Sequence, residues 1–261
     1  MLRSLNTSAT GMVAQQLNLD VIANNLANVN TTAFKHQRAE FQDLIYQTLQ
    51  SGGTEVGQNL RTPGAIQFGL GAMNSATAND FTQGSAIPTG NPTDLMITGD
   101  GFFRVLLPDG TFAFTRDGSF KQDSNGLLVN SSGYPLQPAI TIPANATEIS
   151  ISADGRVSAK IGDQGTQTIE QITLAVFPNA AGLTRAGQNL WTESASSGAA
   201  NLLVPGLDGT GVIQSKFLEG SNVSVVDEMV RMISAQRAYE INSKAIQASD
   251  DMLNVLNQLK R

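Results

Sequence analysis

Cysteine is absent from this chain of 261 residues. Disulfide frameworks, thiolate nucleophiles and Cys-ligated zinc or iron–sulfur centres are thereby excluded. Histidine occurs once, at His36, which excludes HExxH zinc chemistry and multi-histidine metal centres. Charge is scarce: Asp, Glu, Lys and Arg make up 15% of the residues, against about a quarter in ordinary globular chains. No apolar run approaches the ~20 residues of a membrane span, so no membrane insertion is expected. The net charge of −6 leaves no basic surplus to bind nucleic acid.

Neutral polarity fills the gap. Asn, Gln, Ser and Thr number 20, 19, 21 and 22, together 82 residues or about 31% of the chain. Hydrophobic residues still make up 41%, enough for a substantial core and against wholesale disorder. A surface this poor in charge is unlike that of a freely soluble monomer. The opening MLRSLNTSATGMVAQQ carries only Arg3 and lacks the apolar core of a Sec-type signal peptide. Cytoplasmic residence, or export without a cleaved signal, is expected.

The two ends read as helices. Leu2, Leu5, Ala9, Met12, Leu19, Ile22, Ala23 and Leu26 mark an N-terminal helical stripe, although Gly11 weakens it by about 1 kcal/mol relative to Ala. Ser224 followed by Asp227 is a capping-box-like start for the second helix. Val226, Val230 and Ile233, then Ile241, Ala245, Ala248, Met252, Val255 and Leu259, mark its stripe, with neither Gly nor Pro from Val223 onward. Lys260 and Arg261 suit a helix C-terminus. A helix of about 35 residues is roughly 50 Å long, the length of a coiled-coil strand.

Between the ends the period changes to two. Asp109-Gly110, Asp117-Gly118 and Asn125-Gly126 read as hairpin turns, and the runs between them as a β-meander beginning near Leu95. The expected fold class is α+β: terminal helices at 1–33 and 222–261 pairing as a coiled coil, and an all-β domain at 77–203. Residues 34–76 read as an irregular or extended connection, and 204–221 as a return connection. Phe102, Phe112, Phe114 and Phe120 are the expected anchors of the β-domain, with Phe103 facing the other side of its strand from Phe102.

No residues assemble into a catalytic, cofactor or metal site. No G-x-S-x-G elbow accompanies His36, which reads as a solvated polar residue. Gly99-Asp100-Gly101 lies between strand candidates, whereas a phosphate loop leads into a helix; it reads as a turn. Asp109, Asp117, Asp123 and Asp154 could form a glycosidase-like carboxylate pair, but most lie in turns that Asp itself stabilises. The helices are more informative. The first 33 residues carry only Arg3 and Asp20 as charged side chains. Small and neutral polar residues on several faces suit a helix packed on more than one side, where an unpaired charge is costly.

Val21-Ile22-Ala23-Asn24-Asn25-Leu26-Ala27-Asn28-Val29-Asn30-Thr31-Thr32-Ala33-Phe34-Lys35 resembles the N-terminal signature of bacterial flagellar rod and hook proteins. Ile97-Thr98-Gly99-Asp100-Gly101-Phe102-Phe103 and Phe114-Thr115-Arg116-Asp117-Gly118-Ser119-Phe120 resemble that family's β-domain. Ala235-Gln236-Arg237-Ala238-Tyr239-Glu240-Ile241-Asn242-Ser243-Lys244 resembles its C-terminal signature. The motifs occur in family order along the whole chain. Length, and the segment Tyr46 to Pro63 with Arg61, are similar to the distal-rod branch, since hook proteins are usually much longer in the middle. Ala33 stands where the family often has Gly. Because Ala disfavours positive φ, a junction without a left-handed turn is expected there.

The resemblance implies a structural subunit of the distal rod that polymerises with itself into a helical tube. That tube would carry motor torque through peptidoglycan and outer membrane to the hook and enclose an export channel. It further implies proximal rod proteins, hook protein, and P- and L-ring proteins as partners, and exit through the flagellar type III export apparatus. Self-assembly would rest on the two stripes, and 46–63 would bridge neighbouring subunits. The terminal helices are expected to be largely unfolded in the monomer and to order on assembly. Two other readings stay open: another axial protein (a proximal rod or hook subunit), and a peptidoglycan-cleaving enzyme, which turnover of purified murein would reveal.

Overall fold

The computed structural model describes residues 2–50, 55–57, 60–61, 64–162, 165–207 and 209–259. The chain divides into two compact units. One comprises Met1–Ala27, Gln37–Ala78 and Ser224–Arg261; the other comprises Asn28–His36 and Asn79–Val223.

The first unit holds both long helices, α1 (Leu2–Ala27) and α2 (Val225–Leu259). Helix α2 begins where the Ser/Asp pattern puts it: Ser224 Oγ accepts from the Asp227 N–H at 3.5 Å, and its carbonyl accepts from Glu228 at 3.0 Å. Asp227 and Glu228 lie in the first turn, where the helix dipole favours anions. Lys260 and Arg261, expected to close this helix, lie outside the described residues. The segment expected to be irregular or extended contains paired strands: Gln37–Asp43 pairs with Ala72–Asn79, and Tyr46–Gln50 with Ile66–Gly69.

The second unit is β-rich, and its core lies on both faces of one antiparallel sheet. Across that sheet the order is Thr184–Gly187, Leu190–Thr192, Phe112–Thr115, Phe102–Leu106, Leu174–Val176, Asn201–Leu203, with Leu136–Gln137 also on Phe102–Leu106. Period-two alternation sorts its side chains. Phe103, Val105, Ala113, Leu174 and Leu190 face one cluster with Phe120, Leu95 and Ile97. Phe102, Phe114, Ala175 and Trp191 face a second cluster with Phe177 and Leu183. Phe102 and Phe103 therefore do face opposite ways. Phe112, expected as an anchor, is 45% exposed and lies under the Arg104 guanidinium at 4.6 Å from its ring centre. Alternation places it on the face of Phe114, but it sits at the start of its strand, beyond the residues that cover that face, and belongs to neither cluster. A three-stranded sheet, Ala146–Ile151, Arg156–Ile161 and Thr166–Gln171, completes the framework.

Two local expectations change. Asp117-Gly118 is not a positive-φ turn. A Cβ on Gly118 would stand 1.7 Å from the Leu95 carbonyl oxygen, so glycine is needed for close backbone approach, and the Leu95 N–H donates to Gly118 at 3.0 Å. The stretch 204–221, expected as a return connection, holds two strands: Val212–Ser215 pairs with Leu95–Thr98, and Phe217–Glu219 with Ala86–Pro88.

Candidate assembly surface

The helix pair runs antiparallel with a seven-residue repeat. Ser4 Oγ lies 3.4 Å from Ser249 Oγ. Gly11 faces Asn242, whose amide nitrogen would stand 3.0 Å from a Cβ built on that glycine. Asn25 Nδ2 donates to Glu228 Oε2 at 3.1 Å. Seven residues forward on α1 match seven back on α2, and fourteen match fourteen. Ala14 and Ala235, 5% and 4% exposed, are the tightly buried apolar members of the pair beside Ile22. The helical cost of Gly11 is offset by the close approach it allows.

Asn25 is the focal residue of this unit. It is fully buried, donates to the Gln37 carbonyl at 2.8 Å and accepts from the Gln37 N–H at 2.9 Å, besides its bond to Glu228. One neutral amide thus joins α1 to α2 and to the strand Gln37–Asp43. At this position α1 is packed on two sides within one chain, and a charged side chain there would have to be desolvated; much of the rest of α1 is exposed.

The predicted stripes fare differently on the two helices. On α1, Leu5, Met12, Leu19 and Leu26 are half-buried at seven-residue spacing, and Ile22 is buried. On α2, Val226, Val230, Ile233, Ile241, Ala245, Met252 and Val255 are all exposed. The side chain of Leu259 lies outside the described residues. The α2 residues that meet α1 are instead Glu228, Ala235, Asn242 and Ser249, one polar or small residue per heptad. The apolar stripe of α2 therefore faces away from its partner helix. Tyr46 is exposed on its hairpin, together with Leu49, Ile66 and Phe68. Arg61 lies on the strand Leu60–Arg61, which pairs with Glu55–Gly57; its side chain and Pro63 lie outside the described residues.

The β-rich unit has a buried charge cluster that sequence reasoning missed. Lys35 Nζ donates to Glu219 Oε1 at 2.6 Å and to the Thr82 carbonyl at 2.7 Å. Gly84 N–H donates to the same carboxylate oxygen at 2.9 Å, and Arg116 Nη1 lies 3.6 Å from Glu219 Oε2. All three charged side chains are at least 97% buried. Burial pushes Lys35 below its ordinary pKa, against the opposing pull of Glu219, and burial likewise lowers Arg116. Around it, Ala33 N–H donates to the Glu219 carbonyl at 2.8 Å, and Asn222 Oδ1 accepts from His36 N–H at 2.7 Å. The cluster ties residues 33–36 to 219–222. Only the position of Lys35 at the end of the N-terminal signature could have hinted at it.

Ala33 corrects an expectation. Its φ is +55°, inside the left-handed region, and its side chain is 4% exposed. The hydrogen bond to Glu219 and the burial on both sides of it hold a conformation that Ala alone disfavours.

The candidate enzymatic residues serve the backbone. Asp109 accepts from Thr111 N–H at 2.9 Å and Asp117 from Ser119 N–H at 3.0 Å, while Asp154 accepts from Ser152 Oγ; these are turn-closing contacts. Asp100 lies in a turn between Gly99 and Gly101, both at positive φ, and its backbone carbonyl accepts from Gly211 N–H at 2.7 Å. Among the described residues no group of three acidic or histidine side chains is placed to hold a metal ion, and no helix is long and apolar enough to cross a membrane.

Comparison with known proteins decides between the remaining readings. Residues 5–35 match the family described as flagella basal body rod protein, 96–159 the flagellar hook protein FlgE/F/G D1 domain, and 214–259 the flagellar basal body rod FlgEFG protein C-terminal region. The flagellar basal-body rod protein FlgG of Borreliella burgdorferi is 53% identical over the full length of both chains. The chain belongs to the FlgG family of flagellar basal-body rod proteins. FlgG of Bacillus subtilis is 42% identical, again over the full length of both. The flagellar hook protein FlgE of Helicobacter mustelae is 47% identical over only 52% of this chain and 30% of its own. Full-length agreement with FlgG proteins sets this chain apart from hook subunits. It is a structural rod protein of the distal-rod type and not an enzyme. The peptidoglycan-cleaving alternative is thereby set aside.

Proposed function

We propose that FlgG-family membership is realised here by self-polymerisation into an open helical tube. The observation that carries this reading is the outward-facing apolar stripe of α2. From Val226 to Val255 it extends over roughly 45 Å, and six of its side chains are 49–71% exposed. Contiguous exposed apolar surface of this size marks an interaction site. The stripe and the α1 surfaces are different patches, so copies meeting through them make heterologous contacts that repeat without closing.

In that tube the helices form the inner layer around an export channel and the β-rich units lie outside. As the distal rod it carries motor torque through peptidoglycan and outer membrane. Proximal rod proteins and hook protein are the axial neighbours, the P- and L-ring proteins surround it, and the flagellar type III apparatus exports the chain. The hairpin with Tyr46 and Arg61, within 46–63, bridges neighbouring copies. Its strands Tyr46–Gln50 and Ile66–Gly69 are exposed throughout, and a lone two-stranded hairpin is only marginally stable in water.

Electron microscopy of assembled chains tests this. The intact chain should give straight tubes and a chain lacking 46–63 more flexible ones. Straight, stiff tubes from the deletion would remove the bridging role, and discrete particles from the intact chain would remove the polymer.

A further inference from the structure

The helical unit contains an apolar groove of about 350 Å³, within the size range of clefts that hold a bound group. Ala9, Val13 and Leu17 of α1 line it together with Leu44, Met73 and Asn74, and no charged side chain among the described residues does so. Val13 is 68% exposed and Met73 45%, so the single chain leaves the groove uncovered. One polar group there lacks a partner. Asn74 Oδ1 is buried and accepts no hydrogen bond among the described residues, and a buried acceptor left unpaired is costly. Asn74 as a whole is only half-buried, so a side-chain rotation is enough to turn its amide toward the groove.

The groove therefore calls for an apolar body that ends in an uncharged donor, which describes tyrosine or tryptophan. Lysine or arginine would leave a cation against a groove that holds no acid. Serine, threonine, asparagine and glutamine bring a donor without the apolar bulk to cover the walls. The single tryptophan, Trp191, is 3% exposed within the second core cluster. Of the three tyrosines, Tyr134 packs against the core of the β-rich unit. Tyr239 stands four residues after Ala235 and three before Asn242, on the side of α2 that meets α1. Tyr46 remains. It is 53% exposed on a hairpin exposed throughout, and it lies opposite Gly69, which has no side chain to cover the ring. In its own chain the ring lies against that glycine, with Cε1 3.3 Å from where a Cβ would stand, and is not among the groove's lining residues.

We propose that the groove lined by Val13, Leu17, Leu44 and Met73 is the seat of the Tyr46 ring of a second copy, whose hydroxyl donates to Asn74 Oδ1. This rests on the bridging reading of the hairpin and names the surface on which the bridge lands. Ring and groove are different patches of one chain, so each copy both donates and receives. The contact is head-to-tail and repeats without closing.

The chain has no cysteine, so single thiols report on single contacts. Ile45 adjoins Tyr46 and is 82% exposed, and Val13 lines the groove. Full-length Ile45→Cys and Val13→Cys chains, given tags of different size, are assembled as an equal mixture. A short thiol-specific bismaleimide is added, and covalent size is read on a denaturing gel. Mixed dimers are expected from the mixture and no dimers from either chain alone. Tubes that form from the mixture yet give no mixed dimer would overturn the docking while leaving self-assembly intact. Failure of the intact chain to polymerise would overturn both.

A double-mutant cycle tests the hydrogen bond itself. Tyr46→Phe and Asn74→Leu should each raise the concentration needed for assembly by about threefold to tenfold, with tubes still formed. Replacing both partners by apolar groups leaves neither unpaired, so the double variant should need no more than either single one. Increases that multiply in the double variant, or no increase in either single one, would overturn the pairing.

Discussion

The two units of this chain are built by opposite rules. In the β-rich unit the large apolar side chains point inward: Phe103, Phe114 and Phe120 are at most 2% exposed, and even the charges of Lys35, Glu219 and Arg116 are buried against one another. In the helical unit the largest apolar side chains of α2 point outward, and the helix seam is closed by Asn25 with Glu228, Ser4 with Ser249 and Gly11 with Asn242. A unit that hides its apolar surface is complete by itself. One that displays it, and spends its interior on hydrogen bonds worth roughly 1 kcal/mol each, needs neighbours to become stable. On the self-assembly reading proposed above, the β-rich unit belongs to the subunit and the helical unit to the polymer.

The sharpest contrast should come from the buried charges. Glu219→Gln leaves two buried cations without their counter-ion. Removing one partner of a buried pair costs ~3–5 kcal/mol, so the monomer's thermal midpoint should fall by many degrees. An unchanged midpoint would mean that the β-rich unit does not depend on this cluster.

Asn25→Ala strikes the helical unit at its most connected residue. It removes the amide that bonds Glu228 Oε2 and both backbone groups of Gln37, and a lost buried hydrogen bond of this kind costs ~1–3 kcal/mol. If the helices gain their stability from neighbours, the monomer's melting should barely move, while the concentration needed for assembly rises by about tenfold to a hundredfold. A large loss of monomer stability would erase the contrast between the units.

At the junction, Ala33→Val places a β-branched residue at a φ of +55° and should cost about 1–3 kcal/mol in the monomer. Ala33→Gly should be tolerated within ~1 kcal/mol, because relief of strain offsets the added backbone entropy of the unfolded chain. Equal melting of the two variants would show that the left-handed conformation is not enforced.

The smallest change in melting belongs to the outward stripe. Ile233 is 49% exposed, so Ile233→Asp should shift monomer stability by no more than about 0.5 kcal/mol and yet abolish tubes. Tubes formed at normal concentration by this variant would remove the stripe from the interface.

Much of this was legible in the residues. Apolar periods of three and four marked both helices, Ser224 marked the start of α2, and Asp-Gly and Asn-Gly pairs marked turns of the β-rich unit. The helix seam was not legible, because Glu228, Ala235, Asn242 and Ser249 repeat every seven residues without any hydrophobic signal. Following the apolar side chains led instead to the face that points outward. The Lys35–Glu219 pair joins residues 184 apart in sequence, a distance over which no local pattern acts. At Ala33, intrinsic backbone preference pointed away from positive φ, and a tertiary hydrogen bond overrode it. Phe112 shows the limit of alternation, which assigns a face to a residue but not how far the covering layer extends.

The account's central claim is that the helical unit becomes stable only through neighbouring copies. Amide hydrogen exchange, followed residue by residue on dilute monomer and on assembled tubes, tests it most directly. Segments 2–27 and 225–259 should exchange rapidly in the monomer and slowly in the tube, while strands such as Phe102–Leu106 and Phe112–Thr115 stay equally protected in both. Helices already protected in a verified monomer, to the same degree as those strands, would contradict the claim.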